Sequence, residues 1–323
     1  MSASGAAAAV ERGATINESR FDAMRDPGVV SALRLGTRSS VLALAQAEAI
    51  AQALGGAEVV TVKTADSEVG DKARFVRGVE AAILEGEVAI GVHSAKDVPG
   101  ELPDELELVG VPGREDPRDA FVGSAGSLDE VPEGARVGTS SLRRTSQLLA
   151  LRPDLEIAAL RGNVDTRLRR LADRDYDGIV LAAAGLVRLG RAGEIAFEFE
   201  AEELTPAPGQ GALALEARAD DADAAAAAAR ISDRAALVEL TAERAATRAL
   251  RASCDTPVGI CARHRSSGLA IAGYAGLPDG SEWVRDRVEG DPEQPVALGE
   301  ALAARMLAAG AEGILARAEE FAR

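Results

Sequence analysis

From residue 33 onward, the sequence alternates short apolar segments with amphipathic helical segments. Residues 33–36 form a candidate strand, and Ala43, Ala47, Ile50 and Leu54 then recur at helical spacing. Further strands are predicted at 59–62, 88–92, 135–138 and 178–182, with a helix near 79–84. This order of strand, helix and strand predicts an α/β fold in which helices cover the sheets.

The length and the change of pattern along the chain divide it into several units. A chain of 323 residues is too long for one ordinary core, and the strand-helix pattern restarts near residue 135. From residue 235 a long helix precedes strands near 269–274 and 283–288 and a final helix. We therefore expect a flexible N-terminal extension at 1–30, an α/β domain 1 at 31–112 plus 211–230, an α/β domain 2 at 113–210, and a smaller α+β domain 3 at 231–323. Residues 220–230, rich in acid and alanine, are expected to form a surface helix or connector.

The formal net charge of −16 excludes several function classes. It opposes non-specific binding to nucleic acid or to anionic membranes, and aromatic residues at 3% offer few stacking platforms for bases. No apolar run approaches the roughly 18–20 residues that span a bilayer, and the first residues lack the basic segment of a signal peptide. We expect a cytoplasmic protein whose acidity, with only three lysines, is typical of salt adaptation.

The two cysteines lie in different contexts. They form no C-x-x-C pair and no disulfide framework, and only His93 and His264 are available beside them, so no metal site is expected. Cys261 lies in the apolar stretch 258–262, which is typical of a buried cysteine. Cys254 lies among Ser, Asp, Pro and Gly, which favours an accessible nucleophile or attachment point over a small buried hydrophobe.

Three turns between strands and helices carry hydroxyls together with cations: GTRSS at 36–40, HSAKDVP at 93–99 and GTSSLRR at 138–144. Such turns lie where α/β sheets bind ligands, and helix N-termini bind anions. The alternative for each is a simple helix cap beside a solvated arginine. Residues 114–191 contain 13 arginines and 12 acids, a net charge of +1, so the rest of the chain carries −17. Because arginine pairs with carboxylates in a bidentate manner, this middle segment predicts a polyanion site.

Lys96 and Asp97 form the most informative pair in these turns. An aspartate after a strand is usually a helix cap. Beside a lysine in an arginine-rich cleft, however, Asp97 is expected to stay ionised and to stabilise a developing positive charge.

Eight motifs in this sequence resemble those of one enzyme family, and they occur in the family's order. They are LRLGTRSSVLALAQAE, VHSAKDVP, REDPRDAFV, VGTSSLRR, LRGNVDTRL, LAAAGLVRLG, PAPGQGALALE and SCDTPVGICA. The chain thereby resembles the porphobilinogen deaminase (hydroxymethylbilane synthase) family from residue 33 to the C-terminal helix.

The resemblance implies a fold and an activity. Domains 1 and 2 would be α/β domains similar to the halves of a type II periplasmic binding protein, followed by a smaller C-terminal α+β domain. A dipyrromethane cofactor would be held by a thioether bond to Cys254. The enzyme would be a transferase of porphyrin and heme biosynthesis. It would condense four porphobilinogen molecules onto this primer with loss of ammonia, and hydrolysis would release the linear tetrapyrrole hydroxymethylbilane.

The resemblance also assigns roles to individual residues. Asp97 would be catalytic, with Lys96 as its neighbour. Cofactor-binding residues would be Ser94, Lys96, Asp97, Thr139, Ser141, Arg143, Arg144, Arg161, Gly162, Arg167 and, covalently, Cys254. Substrate-binding residues would be Arg38, Ser40, Arg161, Arg167 and Arg188.

One segment departs from the family pattern. Residues 64–75 are shorter than the mobile cover that family members have there, and only Asp66, Lys72 and Phe75 resemble it. We expect activity nonetheless, in a monomer whose partner is the small molecule porphobilinogen. The alternative is a non-catalytic, two-lobed anion-binding homologue.

Overall fold

The computed structural model describes residues 33–62, 74–252 and 256–321. In chain order, its strands and α-helices begin with β1 (Arg34–Thr37), α1 (Val41–Ala53), β2 (Glu58–Thr61), α2 (Arg74–Leu84), β3 (Ile90–Ser94), β4 (Leu106–Gly110), β5 (Asp119–Gly123), β6 (Arg136–Gly138), α3 (Leu142–Leu151), β7 (Glu156–Ala158), α4 (Val164–Ala172), β8 (Gly178–Ala182), α5 (Ala183–Arg188) and β9 (Phe197–Glu198). They continue with β10 (Leu213–Arg218), α6 (Ala222–Ala229), α7 (Arg234–Ala249), β11 (Val258–Arg265), β12 (Gly268–Gly276), β13 (Trp283–Gly290), α8 (Pro295–Ala308) and α9 (Ala311–Phe321). Within these described ranges, no helix combines the length and apolarity needed to cross a membrane.

The first sheet has the strand order β2-β1-β3-β10-β4. β1 pairs in parallel with β2 and β3, whereas β10 is antiparallel to both β3 and β4. Helix α1 covers this sheet with Ala47, Ile50 and Ala51, and it begins at Ser40, whose hydroxyl accepts a hydrogen bond from the Ala43 amide at 3.3 Å. The helical spacing in the sequence therefore marks the face that packs on the sheet.

The second sheet repeats this arrangement with the order β7-β6-β8-β5-β9. Here β6 pairs in parallel with β7 and β8, and β5 is antiparallel to β8 and β9. The antiparallel strand next to the edge is β10 in the first sheet and β5 in the second. Each follows a segment of chain that comes from the other sheet. The chain thus crosses between the two sheets twice, from β4 to β5 and from β9 to β10.

The C-terminal part is a three-stranded antiparallel sheet, β11-β12-β13, with helices packed against it. Its core joins Ile260 and Ile271 of the sheet to Leu302 and Met306 of α8. The expected α/β class is confirmed: the chain forms two α/β units of matching strand order and a smaller C-terminal α+β unit.

Two local expectations are corrected. The helix α6 within residues 220–230 is not a purely surface element, because Ala224, Ala227 and Ala228 are buried against the first sheet. The third strand also runs further than expected, to Ser94. His93 therefore lies inside the sheet, buried 3.0 Å from Glu216 of β10, and the ligand-facing turn begins only at Ala95.

Helix α7 joins the α+β unit to the rest of the molecule. One face packs Val238, Ala242 and Ala246 into the C-terminal core, and another packs Leu237 and Leu240 beside the first sheet. Both faces are buried, so α7 lies between the first α/β unit and the C-terminal α+β unit.

A buried ion network fixes α7 against both crossing segments. Arg114, in the first crossing, donates to Glu239 at 3.2 Å and to Glu243 at 2.8 Å, both on α7. The carboxylate of Glu243 also accepts from the amide of Gly209, in the second crossing, at 2.6 Å, and from the amide of Ala262 in β11 at 2.7 Å. Because these groups are buried together, the network holds the two crossings, α7 and β11 in fixed positions around the cavity described below.

Candidate active site

A cavity of about 780 Å³ lies where the two α/β units meet α7. Its wall consists of Ala95–Glu101 after β3, Ser140–Arg144 at the start of α3, Arg167 of α4, Ala207, Pro208 and Gln210 of the second crossing, and Leu240, Arg244, Thr247, Arg248, Arg251, Ala252, Thr256 and Val258. Seven of these residues are cationic and two, Asp97 and Glu101, are acidic. The cavity is therefore suited to a ligand with several negative charges.

Lys96 and Asp97 reach this wall from a short 3-10 helix, Ala95–Asp97, directly after β3. Lys96 Nζ lies 3.5 Å from Gln210 Oε1. The second crossing approaches this turn so closely that a Cβ on Gly209 would lie 2.8 Å from the carbonyl carbon of Ala95. Burial, reinforced by Arg144, lowers the pKa of Lys96 to about 8, against the opposing charges of Asp97 and Asp119. A bound anionic ligand would therefore stabilise the charged form of Lys96.

Asp97 is half-buried on the same wall. Its carboxylate makes no hydrogen bond or ion pair with any other residue that the structure describes. A carboxylate at the edge of a cationic cavity, without a hydrogen bond to a described neighbour, is available to a ligand N–H or to a developing positive charge.

Arg143 and Arg144 lie in the first turn of α3, and both are buried. Arg143 Nη1 donates to Asp119 Oδ2 at 2.7 Å, and Arg144 donates to Asp119 Oδ1 from Nε at 2.9 Å and from Nη2 at 2.6 Å. Gln210 Nε2 also donates a hydrogen bond to Asp119 Oδ1 at 2.9 Å. Burial alone would raise the pKa of Asp119, but the two guanidinium groups hold it well below its usual range. Asp119 is therefore a permanent anion that orients both arginines.

The other residues expected around the second unit divide between the wall and its support. Ser141 lines the cavity, and its amide donates to Thr139 Oγ1, which is buried behind it, at 3.2 Å. Arg167 lines the cavity and donates from Nε to the carbonyl of Gly162 at 2.8 Å. Burial and the charge of Arg144 lower the pKa of Arg167 to about 10. Gly162 has φ +112°, and Arg161 beside it is exposed.

Several expected site residues lie off the wall of this cavity: Arg38, Ser40, Ser94, Thr139, Arg161, Gly162 and Arg188. Ser94 donates to Gln46 Oε1 at 3.3 Å, and Arg188 Nη2 donates to the carbonyl of Gly211 at 2.7 Å. Their assignment to cofactor or substrate stays a prediction, as do the roles assigned to residues on the wall.

Of the two cysteines, the structure describes only Cys261. Cys261 is buried in β11, as expected, and burial raises its pKa to about 12, so it is a neutral thiol at physiological pH. Cys254 lies outside the described residues, as do Asp66 and Lys72 of the shortened segment. The residues that flank the Cys254 segment, Ala252 and Thr256, both line the cavity.

Comparison with known proteins gives two matches to family models. Residues 33–226 match the model described as "Porphobilinogen deaminase, dipyromethane cofactor binding domain", and residues 237–308 match "Porphobilinogen deaminase, C-terminal domain". The chain belongs to the porphobilinogen deaminase family. The porphobilinogen deaminase of Syntrophus aciditrophicus (strain SB) is 42% identical over 89% of this chain and 99% of its own length. That of Roseiflexus sp. (strain RS-1) is 45% identical over 88% of this chain and 98% of its own length.

Among solved structures, the second substrate binding domain of a putative amino acid ABC transporter from Streptococcus pneumoniae Canada MDR_19A is similar to this chain. The TM-score is 0.38 and the identity 11%, over 62% of this chain and 91% of that one. We draw no conclusion from a similarity of this degree.

The cavity fits the dipyrromethane group that this family's model names. The group carries carboxylates, and the wall offers Lys96, Arg143, Arg144 and Arg167 to them. Arg143 Nε is buried without a hydrogen-bond partner among the described residues, which leaves one donor for a ligand oxygen.

The sequence analysis missed three features of this cavity. It did not identify Asp119, the counter-ion of Arg143 and Arg144, nor Gln210, which links Asp119 to Lys96. It also missed the arginines of α7 and its C-terminus, Arg244, Arg248 and Arg251. Their spacing of four and three residues was visible in the sequence and predicts one face of a helix.

Proposed function

We propose that this chain is a porphobilinogen deaminase. It condenses four porphobilinogen molecules, one at a time, onto a dipyrromethane primer attached through a thioether to Cys254, and hydrolysis then releases hydroxymethylbilane. The observation that carries the proposal is the meeting of Lys96, Asp97 and the arginines of α3 in one cavity, whose wall continues on both sides of the Cys254 segment.

The cations account for binding. Each pyrrole ring brings an acetate and a propionate, so the growing chain gains two negative charges with every addition. Guanidinium groups bind such carboxylates in a bidentate manner. Because Asp119 fixes Arg143 and Arg144 before a ligand arrives, little side-chain entropy is lost when the carboxylates bind.

Asp97 accounts for the chemical step. In each cycle the aminomethyl carbon of porphobilinogen loses ammonia and forms a carbon–carbon bond to the free α-carbon of the chain, which then loses a proton. Positive charge develops on pyrrole nitrogen during this exchange, and a carboxylate held in a partly buried cavity stabilises it. When bound, dipyrromethane supplies the first free α-carbon. Asp97 would lie beside the pyrrole nitrogens, with Lys96 holding a ring carboxylate.

The wider assignments belong to the same proposal. We retain the division into domain 1 at 31–112 plus 211–230, domain 2 at 113–210 and domain 3 at 231–323. The two crossings between the sheets and the separate C-terminal core support it. The protein would act as a cytoplasmic monomer on a small anionic substrate, without nucleic acid or membrane partners, and its acidity would be an adaptation to salt.

Exchange of single cysteines tests this function against a non-catalytic anion-binding homologue. Cys254→Ser should abolish consumption of porphobilinogen, because the primer has no attachment point. Cys261→Ser is the matched control and should keep activity, since Cys261 is buried in β11. Porphobilinogen consumption is measured with an aldehyde reagent for pyrroles. If the wild-type chain consumes none, the function is wrong; if Cys254→Ser is as active as Cys261→Ser, the attachment site is wrong.

A further inference from the structure

Arginines on the C-terminal half of α7 and just after its end form a stripe along the cavity. Arg244, Arg248 and Arg251 are spaced by four and three residues, which places them on one side of a helix. All three line the cavity, together with Leu240 and Thr247 of the same face. They lie outside residues 114–191, where the charge pattern of the sequence locates the polyanion site. The C-terminal unit thus adds a second cationic wall.

This stripe contacts the turn that follows Asp97. Arg244 Nη2 donates to the carbonyl of Gly100 at 3.0 Å. The side chain of Arg248 packs against the same residue, because a Cβ on Gly100 would lie 3.5 Å from Arg248 Cγ. The arginine stripe and Asp97 therefore face the same cavity from adjoining walls.

Arg251 occupies a backbone position that favours glycine. It follows the end of α7, where its amide donates to the carbonyl of Arg248 at 2.9 Å and the Ala252 amide donates to the carbonyl of Thr247 at 3.1 Å. These two bonds form a Schellman motif, whose left-handed residue is usually glycine. Arg251 has φ +52°, a conformation that is unfavourable for a residue with a Cβ. Arginine at this position therefore lowers stability relative to glycine.

Arg174 provides an internal comparison. It follows α4 in the same motif, with φ +62°, its amide bonded to the carbonyl of Leu171 at 3.0 Å and the Asp175 amide to that of Arg170 at 3.1 Å. Both arginines are exposed, but Arg174 lies off the cavity wall, whereas Arg251 is on it. A left-handed arginine alone therefore indicates no function; its position on the cavity distinguishes Arg251.

Arg248 and Arg251 form no ion pair with another residue in the part of the chain that the structure describes. Glu300 and Glu101 act on Arg248 only at longer range, and burial lowers its pKa. Arg143 and Arg144, in contrast, already share Asp119. Guanidinium groups at a cavity without a counter-ion favour binding of an anion.

We propose that Arg248 and Arg251 form a carboxylate subsite on the α7 wall, which binds an acetate or propionate of a pyrrole ring in the growing chain. This assignment rests on the proposed function, because that function supplies the ring carboxylates. It adds binding capacity that Arg143 and Arg144 lack, since Asp119 neutralises part of their charge. Arg251 would then be retained for binding although it lowers stability.

The test compares Arg251→Gly with the matched control Arg174→Gly. Both changes relieve the left-handed conformation, so both should raise the melting temperature of the substrate-free protein by roughly 2–4 °C. Only Arg251→Gly should also raise the KM for porphobilinogen, by about tenfold, the scale of one charge-assisted hydrogen bond. Mass spectrometry at limiting porphobilinogen should show fewer elongated species for this variant. Arg251→Lys should keep the melting temperature of the wild type and recover most of the affinity.

The following outcomes overturn either the subsite or the premise that Arg251 lowers stability. Arg251→Gly with wild-type KM and wild-type elongated species shows that Arg251 binds no substrate group. A lower melting temperature in Arg251→Gly shows that the arginine stabilises the helix end. An equal rise of KM in Arg174→Gly shows that the effect is not local to the cavity. Failure of the proposed function is distinguished from these results, because the wild-type protein would then neither consume porphobilinogen nor gain mass from it.

Discussion

Replacement of Asp119 by asparagine tests whether this residue is the buried counter-ion of the cavity. Asp119 is fully buried and accepts hydrogen bonds from Arg143, Arg144 and Gln210. In Asp119→Asn, Oδ1 keeps its bonds to Arg144 and Gln210, but an amide NH₂ faces Arg143 Nη1. One charge-assisted bond, about 1.5–3 kcal/mol, is lost, and two buried guanidinium groups lose their counter-ion. Together these effects should lower the free energy of unfolding by about 3–5 kcal/mol.

Urea unfolding followed by circular dichroism measures this loss, and Asp116→Asn is the matched control. Asp116 also accepts from an arginine, Arg118, at 2.7 Å, but the pair is about one-third exposed. Such pairs contribute about 0.2–1 kcal/mol. Because the pKa of Asp119 lies well below its usual range, its contribution is lost only as pH falls through that low value. The difference between variants should therefore stay constant from about pH 5 to about pH 8. Equal losses for Asp119→Asn and Asp116→Asn would refute the role of Asp119.

Three further predictions concern activity. Asp97→Asn should keep its cofactor yet lower turnover by roughly 10²-fold or more, the scale of one lost electrostatic stabiliser; normal turnover would remove Asp97 from the chemical step. Because the pKa of Lys96 is lowered to about 8 in the free protein, kcat/KM for porphobilinogen should fall as pH rises through that value. Lys96→Arg should keep the plateau to higher pH, and identical pH profiles for both proteins would contradict this. If the acidity is an adaptation to salt, activity should decline at low ionic strength, where repulsion between the surface and an anionic substrate is unscreened; full activity there would contradict the adaptation and leave the enzyme assignment intact.

Local patterns in the sequence predicted most elements of the fold, because apolar periodicity reports which face of a helix or strand is buried. The pairing of β10 with β3 and β4, in contrast, could not be predicted from local patterns. It joins segments more than a hundred residues apart, after the chain has crossed to the second sheet and back, and no local signal specifies such a partner. The end of β3 was misplaced for a related reason: polar His93 interrupts the apolar run, but Glu216 on the neighbouring strand lies beside it.

The site was predictable where it depends on strand-to-helix turns. Lys96, Asp97 and the two arginines of α3 reach the cavity because the ends of strands converge there. Asp119 was not predictable, since a lone aspartate at the start of a strand shows its role only when two arginines from another helix reach it. The α7 arginines were visible as a helical stripe. That this stripe faces a cavity rather than solvent follows from the docking of α7 between two units, which is a tertiary property.

The intact mass of the purified protein tests the central claim most directly. The account predicts a mass that exceeds the sequence by two pyrrole units, with further increments of one deaminated porphobilinogen each after substrate is added. Cys254→Ser should show the bare sequence mass under both conditions. A folded wild-type preparation with the bare sequence mass, which gains nothing from porphobilinogen, would contradict the account.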